Sequence, residues 1–113
     1  MQVEDMSESI LLADVLPKLA VELEHLLRQQ GESELAAQVS TLAIVDRCRC
    51  GDDFCSSFYT QPKPQGAYGP DHRTLDLDAE KGMVLVDVAS GLIAHVEVLN
   101  RDDIREPLIT ALP

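Results

Sequence analysis

The sequence predicts an α+β fold, with two N-terminal helices packed on an antiparallel sheet of about five strands. Three observations predict it. Apolar residues recur at three- and four-residue spacing between Val15 and Leu27. From Leu42 the period changes to two, and a stretch rich in Pro and Gly divides the alternating region in half. With 113 residues the chain has room for one domain, 1–113, and not for two independent cores.

Residues 1–9 read as an acidic tail. Leu16, Leu19, Leu23 and Leu26 draw one apolar stripe, flanked by Val15, Ala20 and Leu27, with Glu22, Glu24, Arg28 and Gln29 largely opposite. Pro17 is tolerated only in a first turn, so this helix is expected to start near Asp14 to Leu16 with Asp14 as its cap. Any turn through Ile10–Ala13 is then separate. Gly31 stops the helix. A second, short helix follows from Glu32 or Ser33 to about Ser40, with Leu35, Ala36 and Val39 inward.

Alternation from Thr41 to Cys50, a turn at Gly51–Asp53 and a return through Phe54–Thr60 predict a hairpin. Its apolar residues split between faces: Phe54 and Phe58 on one, Leu42, Ile44, Tyr59 and the cysteines on the other. Residues 61–72 hold three prolines and two glycines and predict a long loop. Three further strands are expected at Thr74–Asp78, Met83–Val88 and Leu92–Leu99. If Asp78 pairs with Met83 and Val88 with Leu92, then Leu75, Leu77, Val84, Val86, Val88, Leu92, Val96 and Val98 share one apolar face. The opposite face carries Asp76, Leu85, Asp87, His95 and Glu97. Asp102–Arg105 can form a short terminal helix before Pro107.

Charge narrows the function classes. Twenty acids oppose nine Lys and Arg, a formal charge of -11, which argues against nucleic acid or an anionic membrane as partner. No apolar run approaches the ~18 residues of a membrane span; Met83–Val88 is already interrupted by Asp87. The N-terminus lacks the basic start of a signal peptide, and three cysteines do not make a disulfide framework, so a cytoplasmic chain with reduced thiols is expected.

Two segments could carry chemistry. Cys48, Cys50 and Cys55 fall within eight residues, and a turn at Gly51–Phe54 would place Cys55 opposite Cys50, with all three sulfurs on one face. Three thiolates suit a soft metal, and His72 is the nearest fourth ligand in sequence. The spacing C-x-C-x4-C is not the usual C-x2-C knuckle, and cysteine also packs as a small apolar residue. A Cys50–Cys55 disulfide is geometrically open but disfavoured by a reducing compartment. The second segment is the 61–73 loop, where Lys63, Tyr68, His72 and Arg73 could grip a carboxylate or phosphate. The alternative there is a rigid connection with Tyr68 folded onto the core. His95, Asp87 and Glu97 form a polar cluster whose simpler reading is a solvated sheet face.

Ile44-Val45-Asp46-Arg47-Cys48-Arg49-Cys50-Gly51-Asp52-Asp53-Phe54-Cys55, Phe58-Tyr59-Thr60 and Gly66-Ala67-Tyr68-Gly69 together resemble a small family of uncharacterised bacterial proteins marked by a C-R-C-G-D-D-F-C hairpin. The final hairpin, around Val86–Val88 and Gly91–Leu99, resembles a common small bacterial sheet module. The resemblance implies a bacterial, cytosolic α+β protein and brings no activity, cofactor or catalytic residue.

No nucleophile elbow, phosphate loop or paired metal-ligand helix is present, so no catalytic residue is expected and an enzyme is disfavoured. The leading expectation is an acidic protein-interaction or regulatory module for a basic protein partner, with exposed strands that permit a homodimer. The alternative is a metal- or small-ligand-binding protein using the cysteine hairpin and the 61–73 loop. No cofactor is expected under the first reading; under the second it is zinc.

Overall fold

The computed structural model describes residues 10–113; the tail expected at residues 1–9 lies outside them. Among the described residues the chain runs through α1 (Leu12–Val15), α2 (Pro17–Gln29), α3 (Ser33–Gln38) and a 3-10 turn at Val39–Thr41. The strands follow: β1 (Asp46–Arg47), β2 (Phe58–Tyr59), β3 (Arg73–Leu77), β4 (Met83–Ala89) and β5 (Leu92–Leu99), before a final helix α4 (Asp102–Ala111). The expected α+β class and five-stranded antiparallel sheet are present, but the helices are not all N-terminal, since α4 closes the chain.

Pro17 occupies the first turn of α2, where its missing N–H costs nothing. Leu16, not Asp14, is the N-cap residue, and Asp14 belongs to the separate α1. Leu19, Leu23, Leu26 and Leu27 are buried, as the stripe requires. Gly31 (φ +78°) ends the helix: its N–H reaches Arg28 O at 3.0 Å and the N–H of Glu32 reaches Leu27 O at 2.9 Å. Those two bonds form a Schellman closure, and α3 can start immediately after it.

The first hairpin is shorter than its alternation suggests. Leu42–Ile44 pairs with the chain ahead of α1 instead of with β2: the N–H of Leu12 reaches Leu42 O at 2.9 Å, and that of Ile44 reaches Ile10 O at 2.7 Å. Leu42 and Ile44 are thereby buried in the helical layer. Only Asp46–Arg47 and Phe58–Tyr59 remain as a ladder, in register Asp46↔Tyr59.

Strand order is β1-β2-β5-β4-β3, antiparallel throughout. The β3–β4 register, Leu77↔Val84, is the one expected. The β4–β5 register is not. Ala89, not Val88, opposes Leu92 across a two-residue turn in which Ser90 and Gly91 both have positive φ, and the register shifts beside Val88. Ile93 therefore takes the core position opposite Val88, and Leu92 is 48% exposed. Phe58, Val84, Val86, Val96 and Val98 complete a fully buried sheet face beneath the helices.

The last helix runs through Pro107 instead of stopping before it. An interior proline costs about 3 kcal/mol. Ile104 and Leu108, one turn apart, are both buried in the common core and together return roughly 3–6 kcal/mol. Burial outweighs the lost hydrogen bond. Arg101, only 5% exposed, pins this helix to the rest: it donates to Glu22 of α2 (2.8 Å), to Asp103 (3.0 Å) and to Lys81 O in the β3–β4 turn (3.2 Å). The Glu22 bonds, ahead of those to Asp103, raise its affinity for its proton. No helix among the described residues is long and apolar enough to cross a membrane.

Gly82 is the tightest point of this framework. Its φ is +65°, and an added Cβ would lie 2.3 Å from Leu99 O. Gly91 has a similar φ, +78°, with open space around it. Gly91→Ala should cost about 1–2 kcal/mol for the left-handed conformation alone. Gly82→Ala should cost clearly more, because the backbone must also move. Urea unfolding of the two variants checks this, and equal losses would contradict the packing argument.

Candidate functional site

The face of the sheet turned away from the helices carries a transverse polar row. Successive registers align Asp46, Tyr59, His95, Asp87 and Thr74 across all five strands. The 60–72 segment lies over it for a topological reason. It leaves β2, beside β5, and must reach β3 at the opposite edge, about 14 Å away at the usual strand spacing.

Asp87 is the centre of this row. Its Oδ1 accepts from Thr74 Oγ1 (2.7 Å) and His72 Nε2 (2.9 Å), and its Oδ2 accepts from His95 Nδ1 (3.0 Å). Burial works against its ionisation, but the bonds from His72, Thr74 and His95 outweigh that and hold its carboxyl below the usual value. Tyr59 leans on the His95 ring (4.5 Å between centroids), and Tyr68 stacks on His72 (4.6 Å). Burial, then the charges of Asp87 and Tyr59, push the Tyr68 phenol up, so it stays protonated. Lys63 lies 6.0 Å from the Tyr59 ring centre.

The second constellation is the thiol cluster. Cys48, Cys50 and Cys55 are free, and their sulfurs all lie within 4.8 Å of one another. The β1–β2 register continues to this end of the hairpin: the N–H of Cys48 reaches Ser57 O at 2.8 Å, and Cys55 bridges to Leu99 of β5. Burial first, then the neighbouring sulfurs, push the Cys48 thiol up to about 11. Burial also opposes ionisation of Cys55, but hydrogen bonding to Ser57 and to the other two cysteines brings it below the ordinary thiol value. Cys55 therefore ionises before Cys48.

The arginines of the hairpin do not touch the sulfurs. Arg49 pairs with Asp46 at 2.9 Å and donates to Pro113 O at 2.8 Å, and Arg47 donates to Leu112 O. They fasten the C-terminus to the hairpin.

His72 stands apart from the three cysteines and is committed to Asp87. Lys63, Tyr68 and His72 come to the polar row, whereas Arg73 does not. Alternation turns Arg73 to the helical side, where it pairs with Glu32 at 2.9 Å. Thr74, Tyr59 and Ser57 complete the two clusters without having stood out in the sequence. Ser57 meets Cys55 as its neighbour two residues along the chain, whereas the pairing of β2 with β5, which no local pattern announces, is what brings Tyr59 to His95.

The molecule is thus a helical layer on one face of a five-stranded antiparallel sheet, with three thiols at one end of the exposed face and an Asp–His cluster across its middle. No family model matches the chain, and no curated protein and no solved structure shows significant similarity to it.

Asp87 links stability to pH with a definite sign. Its carboxyl lies below the usual 3.8 in the folded chain, so its contribution is complete above that value and is lost as pH falls through the lower folded value. Asp87→Asn should flatten the dependence of unfolding free energy on pH in the acid limb below about pH 4. It should also speed amide exchange in 61–72, which loses its tie through His72. An unchanged acid slope in the variant would contradict this assignment.

Proposed function

We propose that this is a metal-binding protein whose cysteine hairpin holds one thiophilic ion, zinc being the best match. One observation carries the reading: the three sulfurs lie within 4.8 Å of one another. Zinc–thiolate bonds of about 2.3 Å in a tetrahedron put sulfurs about 3.8 Å apart, so adjustments of an ångström or less complete three corners. Water or an added ligand takes the fourth corner, and the exposed Cys50 side leaves that position reachable from solution. His72 would have to abandon Asp87 to serve there. The ion would join both arms of the hairpin next to Leu99, tying its tip to the central sheet.

The interaction-module reading draws mainly on net charge. Six carboxylates, Glu22, Glu24, Glu32, Asp46, Asp87 and Asp103, already face the chain's own Arg or His groups, which leaves a more diffuse acidic surface than the count implies. A thiol cluster is the more specific chemistry.

Purified, fully reduced protein titrated with zinc should bind one equivalent per chain, and elemental analysis after desalting should retain it. Each of Cys48→Ser, Cys50→Ser and Cys55→Ser should lower affinity by tenfold or more. Binding should also raise the unfolding midpoint, by about 2.7 kcal/mol of stability at a hundredfold excess over the dissociation constant. Absence of saturable binding, or equal binding by the triple serine variant, overturns the proposal.

A further inference from the structure

A hollow of about 230 Å³ opens between the loop and the sheet, lined by Tyr59, Lys63, Pro64, Gly66, Tyr68, Asp87 and His95. What it lacks is decided by hydrogen-bond accounting. Both Asp87 oxygens already accept from the chain's own donors. Lys63, in contrast, has no carboxylate within 4.0 Å among the described residues, leaving three ammonium donors uncommitted. His95 has spent Nδ1 on Asp87. Lys63 is therefore the group that calls for a charged acceptor.

The walls set the rest of the ligand. Tyr59 and Tyr68 both line the hollow, and each ring is held in place by its stack on a histidine. Two fixed aromatic walls favour a flat apolar body. The volume is below that of sites for drug-sized molecules. A larger hollow of about 750 Å³ elsewhere is lined by Asp53, Asp102, Asp103 and Glu106 with Arg105 as its one base, and it repels anions.

We infer that the hollow under the 61–72 loop binds a small one-ring carboxylate, its charge on Lys63 and its ring against Tyr59 and Tyr68. The site is separate from the thiol cluster and does not depend on a metal there.

The test is a titration of the ¹⁵N-labelled full chain with benzoate, followed by amide shifts, with benzamide as the uncharged control. Saturable benzoate shifts at Tyr59, Gly66, Tyr68 and His95 are expected, with none by benzamide. Lys63→Met, an exposed position, should weaken benzoate about tenfold. Substituting all three cysteines by serine should leave benzoate binding unchanged, which separates this site from the metal reading. No saturation by benzoate, equal response to benzamide, or undiminished binding by Lys63→Met overturns the inference.

Discussion

Pairing of β2 with β5 governs the arrangement of everything outside the core. Because the short hairpin docks against the last strand, β5 becomes central, and the chain leaving Tyr59 has to cross two strands before it can begin β3 at the far edge. A loop rich in proline and glycine suits that crossing, since its backbone need not supply a ladder. The crossing also delivers His72 to Asp87 and Tyr68 to His72. The same pairing runs Cys55 alongside Leu99, which fixes one arm of the thiol cluster to the sheet's longest strand. Had the hairpin paired with β3 instead, Tyr59 would not meet His95 and the thiols would lie away from Leu99.

Strand alternation then sorts side chains between two environments. Phe58, Val96, Val86 and Leu75 form one row across the sheet towards the helices, and Tyr59, His95, Asp87 and Thr74 form the adjacent row on the other side. The sorting is strict enough to separate neighbours of similar chemistry. His72 and Thr74 reach Asp87, while Arg73 between them meets Glu32 in the helical layer. The irregularity beside Val88 preserves this sorting at the hairpin end, since Ala94 absorbs the extra residue and lets Ile93 and His95 keep opposite faces.

Much of the fold was legible in local pattern. The leucine stripe, Pro17, Gly31 and the β3–β4 register are all dictated by residues near one another in the chain. The cysteine grouping was legible for the same reason, as it follows from a turn and a two-residue period. Three features were not. Leu42 and Ile44 alternate like strand residues, yet their partners are Ile10 and Leu12, thirty residues earlier in the chain. Pro107 is a helix breaker by local rule and is overruled by the burial of Ile104 and Leu108. Asp87 aside, which the sequence already placed beside His95, the companions of His95 depend on which strand lies beside β5, information held in the packing of Phe58 under the helices and not in any motif.

The two polar clusters are also joined physically. A hollow of about 540 Å³ beside Cys48 and Cys50 is bounded by Asp46, Arg47, Arg49, Tyr59, Pro62 and Lys63, and Tyr59 and Lys63 bound the smaller hollow over Asp87 as well. This sheet face thus carries two hollows that share one wall, with thiols beside one and imidazoles near the other. Its charge differs from that of the chain as a whole. Arg47, Arg49 and Lys63 stand along it in a protein of formal charge -11, and Asp46 and Asp87 are both occupied by the chain's own donors. Arg49 is paired with Asp46 and Arg47 is turned to the C-terminus, so neither offsets the burial that raises the Cys48 thiol. That leaves Lys63, with no ion-pair partner among the described residues, as the positive charge this face presents to solution.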